Sequence, residues 1–130
     1  MTNPSPAMRE RYLAASTATV SPAKLLMMLY DRLVLDLARG EQALLDGNRA
    51  EANTHLLHAQ DIVTELHVSL DLDAWDGAAG LASLYTFVET ELVNANVRGD
   101  AAKVTSVRGL IEPLRDTWRE AAAAAAAAEG

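Results

Sequence analysis

The residues best suited to chemistry sit close together. His55 and His58 are spaced i, i+3, and His67 follows three turns of helix later. Histidines at such spacing could hold a metal. A bundle enzyme of the di-iron kind needs Glu-x-x-His pairs on facing helices, and neither His55 nor His58 has a glutamate three residues before it. Both flank the apolar seam of their helix and are expected to be partly exposed. Asp61 and Glu65 are spaced i, i+4. Paired carboxylates can do acid–base work, but on a helix surface they read as solvated charges. The chain has no cysteine, which excludes thiol nucleophiles, cysteine-ligated zinc and a disulfide framework. It contains no G-x-x-x-x-G-K-[ST], no G-x-G-x-x-G and no H-E-x-x-H. The sequence therefore predicts no catalytic residue, no metal and no cofactor. Its chemistry is expected to be recognition.

Composition narrows what could be recognised. The formal net charge is −7 with no Lys/Arg cluster beyond short pairs. That argues against nucleic acid, whose phosphates call for a basic patch, and against an anionic membrane surface. No run of 18 apolar residues exists, and "MTNPSPAMRERYLAAS" lacks a basic segment followed by an apolar one. The expected compartment is the cytoplasm. Half of the 130 residues are hydrophobic and only 5% are aromatic. Leu and Ala dominate, and both favour helix.

Four helices are expected, as an all-α, antiparallel up-down-up-down bundle over residues 21–120. Residues 1–20, rich in Pro, Ser, Thr and Ala, read as a mobile arm whose only bulky apolar pair is Tyr12 and Leu13. Ser21 suits an N-cap, Pro22 a first helical position, and Val20 and Leu25 a hydrophobic staple. The first helix should run to about Asp46, with Gly47 left-handed. Asn48 and Glu51 form a variant capping box for the second helix, with a seam of Ala52, Leu56, Ala59, Val63, Leu66 and Leu70. After the loop "DLDAWDGAAG", the third seam is Leu81, Leu84/Tyr85, Val88, Leu92 and Ala95. "RGD" at 98–100 reads as a terminating Gly99 and a capping Asp100. The fourth seam is Val104, Val107, Ile111, Leu114 and Trp118. Pro113 lies inside that helix, and Gly109, four residues earlier, leaves room for its ring, so a kink is expected rather than a break. Residues 121–130, mostly alanine, should form a fraying tail. Trp118 and Trp75 are expected to be structural, Trp75 covering the corner between helices two and three.

The first helix poses a question. Leu25, Leu26, Leu29, Leu33 and Leu37 gather on one arc, which should face the core. Met27, Tyr30, Val34 and Ala38 gather on a neighbouring arc. Together these cover more than half of the circumference, so the second arc either packs a further neighbour or accepts a partner's amphipathic segment. A flexible methionine would suit the second use.

Four stretches together carry a family resemblance. "TATVSPAKLLMMLYDR", "HAQDIVTELHVSLDLD", "LASLYTFVETELVNANVRGD" and "PLRDTW" follow one another at family spacing, and the chain resembles the flagellin-specific export chaperones of the FliS family. Departures are Arg32, where the family usually has Gly, Asp36, where an apolar residue is common, "WDGAAGLASL" at the second corner, and Gly109 and Pro113, which interrupt the fourth helix. The resemblance implies a non-catalytic cytoplasmic bundle. Such a bundle binds the disordered C-terminal segment of flagellin, prevents its premature polymerisation and delivers it to the type III export gate. It also implies that Tyr12 can cover the groove in the free protein. The expected contacts are Tyr12, Met27, Tyr30 and Val34, with Gln60, Asp61 and Glu65 as candidate polar contacts that a solvated face explains equally well. A weak homodimer stays open. Two other readings stand beside this one: a small metal- or cofactor-holding bundle, and a helical adaptor for another flagellar or assembly protein.

Overall fold

The structure, a computed structural model, describes residues 21–129. The expected arm, with Tyr12 and the staple residue Val20, lies outside the described residues. Four helices follow in order: α1 Pro22–Leu45, α2 Arg49–Ser69, α3 Ala78–Arg98 and α4 Ala101–Glu129.

The helix ends are set by the residues the sequence offers. The Ser21 side chain accepts a hydrogen bond from the Lys24 backbone N–H at 3.1 Å, with Pro22 opening α1. The Asn48 side chain accepts from the Glu51 N–H at 3.1 Å, and its amide donates to the Glu51 carboxylate at 3.0 Å. The pair caps α2 through side chains, a variant of the reciprocal box. Gly47 turns the chain with φ +76°, Gly99 with φ +65°. The Arg49 guanidinium lies 2.5 Å from where a Gly99 Cβ would sit, and it donates to the Asn96 and Val97 carbonyls at the end of α3. Asp100 accepts from the Lys103 N–H at 3.3 Å. A helix end leaves such backbone groups without intrahelical partners, and each cap satisfies some of them.

Each helix packs on the next, and α4 closes back on α1. The pairs Asp31–Arg119 and Glu41–Arg108 show α1 and α4 running antiparallel, and Lys103–Glu91 shows the same for α3 and α4. The core holds Leu33 and Leu37, Leu56 and Val63, Val88 and Leu92, and Val104, Val107 and Ile111, all fully buried. Each contributes on the order of 2 kcal/mol through apolar area removed from water. The structure is the expected antiparallel four-helix bundle. The helix of α4 is continuous through Pro113 and includes the alanine run to Glu129.

Candidate functional site

An apolar surface lies open at one end of the bundle. Leu25, Leu26 and Leu29 border it; Leu25 is 42% exposed, while Leu26 and Leu29 also pack against the core. These leucines and the end of α2, at Leu66 and Leu70, enclose a cleft of about 440 Å³. A second cleft of about 590 Å³ adjoins it between α3 and α4, bordered by Leu81, Leu84 and Leu114. Trp75, Leu81 and Trp118 border both.

The two tryptophans set the shape of this region. Their rings meet edge to face, with centroids 6.3 Å apart and planes at 88°. Trp75, in the connection between α2 and α3, lies over Gly77, where a Cβ would fall 1.8 Å from its ring. Only glycine permits that approach. Trp118 in turn meets Tyr30 edge to face at 6.5 Å, and the Tyr30 hydroxyl lies 2.5 Å from that of Tyr85. The His67 ring stands 6.0 Å from Tyr85 and its Nδ1 is 3.2 Å from Glu89 Oε1. A row of rings thus runs from the exposed corner to the core. Burial raises the pKa of Tyr30. Burial, helped by the neighbouring phenol, raises that of Tyr85 as well. Both phenols are therefore neutral and the walls apolar. Charge is confined to the rim, at the exposed Glu65 and Asp71.

The structure rearranges the expected contacts. Tyr30 is fully buried, so it belongs to the core and not to an open groove. Val34 is half-buried and packs against the core cluster. Both lie on the arc of α1 that α4 covers, between Asp31, bonded to Arg119, and Glu41, bonded to Thr105 and Arg108. The second apolar stripe is accounted for by this fourth helix. Met27 is half-buried on the same arc. Gln60 is half-buried and Asp61 exposed, and Asp61 borders a separate polar cleft between α1 and α2. Of the expected set, among the described residues, Glu65 borders one of the apolar clefts. The expected core arc holds in part: Leu26 and Leu29 pack against the core and also border the cleft, while Leu25 is exposed. Trp118 packs against the core and Trp75 sits in the connection between α2 and α3, as expected, and both also line the clefts.

What this end can do is take up apolar side chains of an amphipathic segment. Among the described residues no helix is long and apolar enough to cross a membrane, and no group of three or more His, Asp or Glu is placed to hold a metal ion.

Comparison with known proteins gives concordant matches. The family model described as Flagellar protein FliS matches residues 4–125. The Flagellar secretion chaperone FliS of Bacillus subtilis (strain 168) is 28% identical over 110 residues, 85% of this chain and 82% of that one. That of Escherichia coli (strain K12) is 30% identical over 108 residues, 82% and 79% of the two chains. A solved structure described as "Crystal structure of flagellar chaperone from bacteria" superposes with a TM-score of 0.71 at 22% identity, over 89% of this chain and 97% of its own. That last likeness is one of fold.

Proposed function

The chain belongs to the FliS family of flagellar proteins, a family of secretion chaperones and not of enzymes, and on that premise we propose that its client is the disordered C-terminal segment of flagellin. In this reading the protein works in the bacterial cytoplasm. It holds the segment until export, prevents its polymerisation there, and delivers it to the type III export gate. The observation that carries the reading is the match of the family model over residues 4–125. The apolar end of the bundle supports it physically.

A segment that cannot bury its own apolar face stays disordered alone and orders on a surface that buries it. The clefts around Trp75 and Trp118 provide such a surface, with Leu25 and Leu29 as its floor on α1. Glu65 stands on its rim. Ordering the client costs conformational entropy, which lowers the net affinity for a given buried area. That suits a partner that must be released. Tyr12, whose position lies outside the described residues, would cover the same end when no client is bound.

The test is calorimetric titration of the full chain with the C-terminal segment of flagellin from the same organism. One-to-one binding with a negative heat-capacity change, weakened at least tenfold by Leu25→Asp combined with Leu29→Asp, is the expected result. Absence of binding to the unaltered chain would overturn the flagellin assignment and turn attention to another flagellar client. Binding unaffected by the double variant would keep the client and move its site.

A further inference from the structure

One helix of the bundle carries apolar side chains on a face that no described helix covers. On α3 the exposed positions Ala79, Ser83, Thr86, Thr90, Val93 and Val97 follow one another at steps of four and three, which places them within about 80° of arc at 3.6 residues per turn. Val93 is 46% exposed, Val97 73%, and Phe87, at the edge of the row, 50%. This spacing is that of a coiled-coil seam. The seam that α3 turns to the core, through Tyr85, Val88, Leu92 and Ala95, is a different one, so the helix is apolar on two sides.

The polar groups of α3 are drawn away from this outer face. Ser83, Thr86 and Thr90 donate their hydroxyl hydrogens back to carbonyls of their own helix, at Ala79, Ala82 and Thr86. Covering the face therefore leaves no hydroxyl donor unpaired. Glu89 is held sideways by His67 of α2, and Glu91 by Lys103 of α4. From Ala79 to Val97 no exposed residue is charged, in a chain of net charge −7. The adjoining α4 is likewise uncharged at its exposed positions from Ala102 to Pro113. Two copies of so acidic a chain repel each other, and on this face the repulsion is least.

We propose that this face binds the same face of a second copy of the chain, with the two α3 helices antiparallel about a twofold axis level with Val88. In that register Ala79 meets Val97, Ser83 meets Val93 and Thr86 meets Thr90. Each valine finds a narrow position opposite, and the threonine methyls meet at the centre. A parallel arrangement would crowd valine on valine at one end and leave a gap between alanines at the other. Charge decides in the same direction. Arg98 and Asp76 are exposed and form no ion pair among the described residues. The antiparallel register brings Arg98 of one copy level with Ala78 of the other, beside its Asp76, whereas a parallel one would set Arg98 against Arg98. A twofold contact of this kind closes as a dimer. It spans about 27 Å of helix, at the low end of specific interfaces, so the dimer is weak and reversible. None of the six seam residues borders the clefts of the apolar end, and the pairing does not depend on the client there.

Sedimentation equilibrium of the full chain, over a concentration series into the millimolar range, should show a reversible monomer–dimer equilibrium. Thr90→Glu, an exposed change at the centre of the seam, brings like charges within a turn of each other across the axis. It should weaken the dimer about tenfold or more while leaving the circular dichroism unchanged. Register is tested with cysteine, which the chain lacks. An equal mixture of Ser83→Cys and Val93→Cys chains, treated with oxidised glutathione, should yield a disulfide-linked dimer with one chain of each kind, and either variant alone should yield far less. A chain that stays monomeric, a Thr90→Glu dimer of undiminished affinity, or single variants that cross-link as well as the mixture would overturn the proposal. So would a dimer abolished by deleting residues 1–18, which would assign the contact to the arm.

Discussion

The hydroxyl oxygens of Tyr30 and Tyr85 lie 2.5 Å apart and tie α1 to α3 across the diagonal of the bundle, between two helices that do not pack as neighbours. One phenol donates and the other accepts. Replacing either by phenylalanine leaves the remaining hydroxyl buried without its partner, at a cost of about 1–2 kcal/mol. Replacing both removes the orphan as well as the bond. Tyr30→Phe and Tyr85→Phe should each lower stability in chemical denaturation, and the double variant should lose less than their sum. Strict additivity would mean that the two hydroxyls do not interact.

The same pair sets the alkaline limit of the fold. Burial raises both phenol pKa values above the ordinary 10.0. The folded chain then holds these protons in a range where the unfolded chain has released them. Stability is fully present below pH 10 and falls as pH rises beyond it. In a Tyr12→Phe background, phenolate absorbance should appear only together with the loss of helical circular dichroism. Ionisation that precedes unfolding would place at least one phenol in contact with water.

At the acid end the sensitive group is Glu41, which joins α1 to α4 through Thr105 and Arg108. Burial pushes its pKa up, but the hydrogen bonds from Thr105 and Arg108, aided by the Arg108 charge, outweigh that and hold it below the ordinary 4.5. Its contribution is present above the unfolded pKa and is lost as pH falls through the lower folded value. Glu41→Gln should cost about 1 kcal/mol near neutrality, and the gap to the unaltered chain should close below pH 4.5. A gap that persists in acid would show that packing, and not charge, accounts for the loss.

The arm is testable through the same clefts. If Tyr12 covers the apolar end in the free protein, deleting residues 1–18 should raise both client affinity and the binding of an apolar dye. Unchanged values would leave the arm without that role.

How much of this was legible in the sequence depended on the range of the interaction concerned. Ser21, Asn48, Gly99 and Asp100 act on backbone within a few residues, so the helix ends could be read directly. The seams through Leu56, Val88 and Val107 repeat at helical spacing and mark the core without knowledge of neighbours. The stripe of Tyr30 and Val34 could not be assigned that way, because its fate depended on where α4 lies. Periodicity states that a face is apolar and does not state what covers it. Leu25 continues the core period of α1 and is nonetheless 42% exposed, because periodicity does not show where the covering side chains end. Asp36 stood out as a charge on an apolar helix, but its burial against His58 required the register between α1 and α2.

That register rests on Gly40, and it can be probed by one substitution made at two places. Gly40 is buried, and a Cβ there would fall 2.7 Å from the Leu56 Cδ2 and 3.0 Å from its Cγ. Leu56 is itself fully buried, so it has nowhere to retreat without displacing the core, and overpacking of this kind costs about 1–3 kcal/mol. The gain in helix propensity on replacing glycine by alanine, about 1 kcal/mol, offsets only part of that. Gly109 on α4 has no neighbouring atom within 4 Å of its virtual Cβ, so only the gain applies. Gly40→Ala should therefore destabilise the protein by about 1 kcal/mol, and Gly109→Ala should stabilise it by about 0.5–1 kcal/mol, both read from urea midpoints. A stabilising Gly40→Ala would mean that α1 and α2 lie further apart than the Leu56 contact requires.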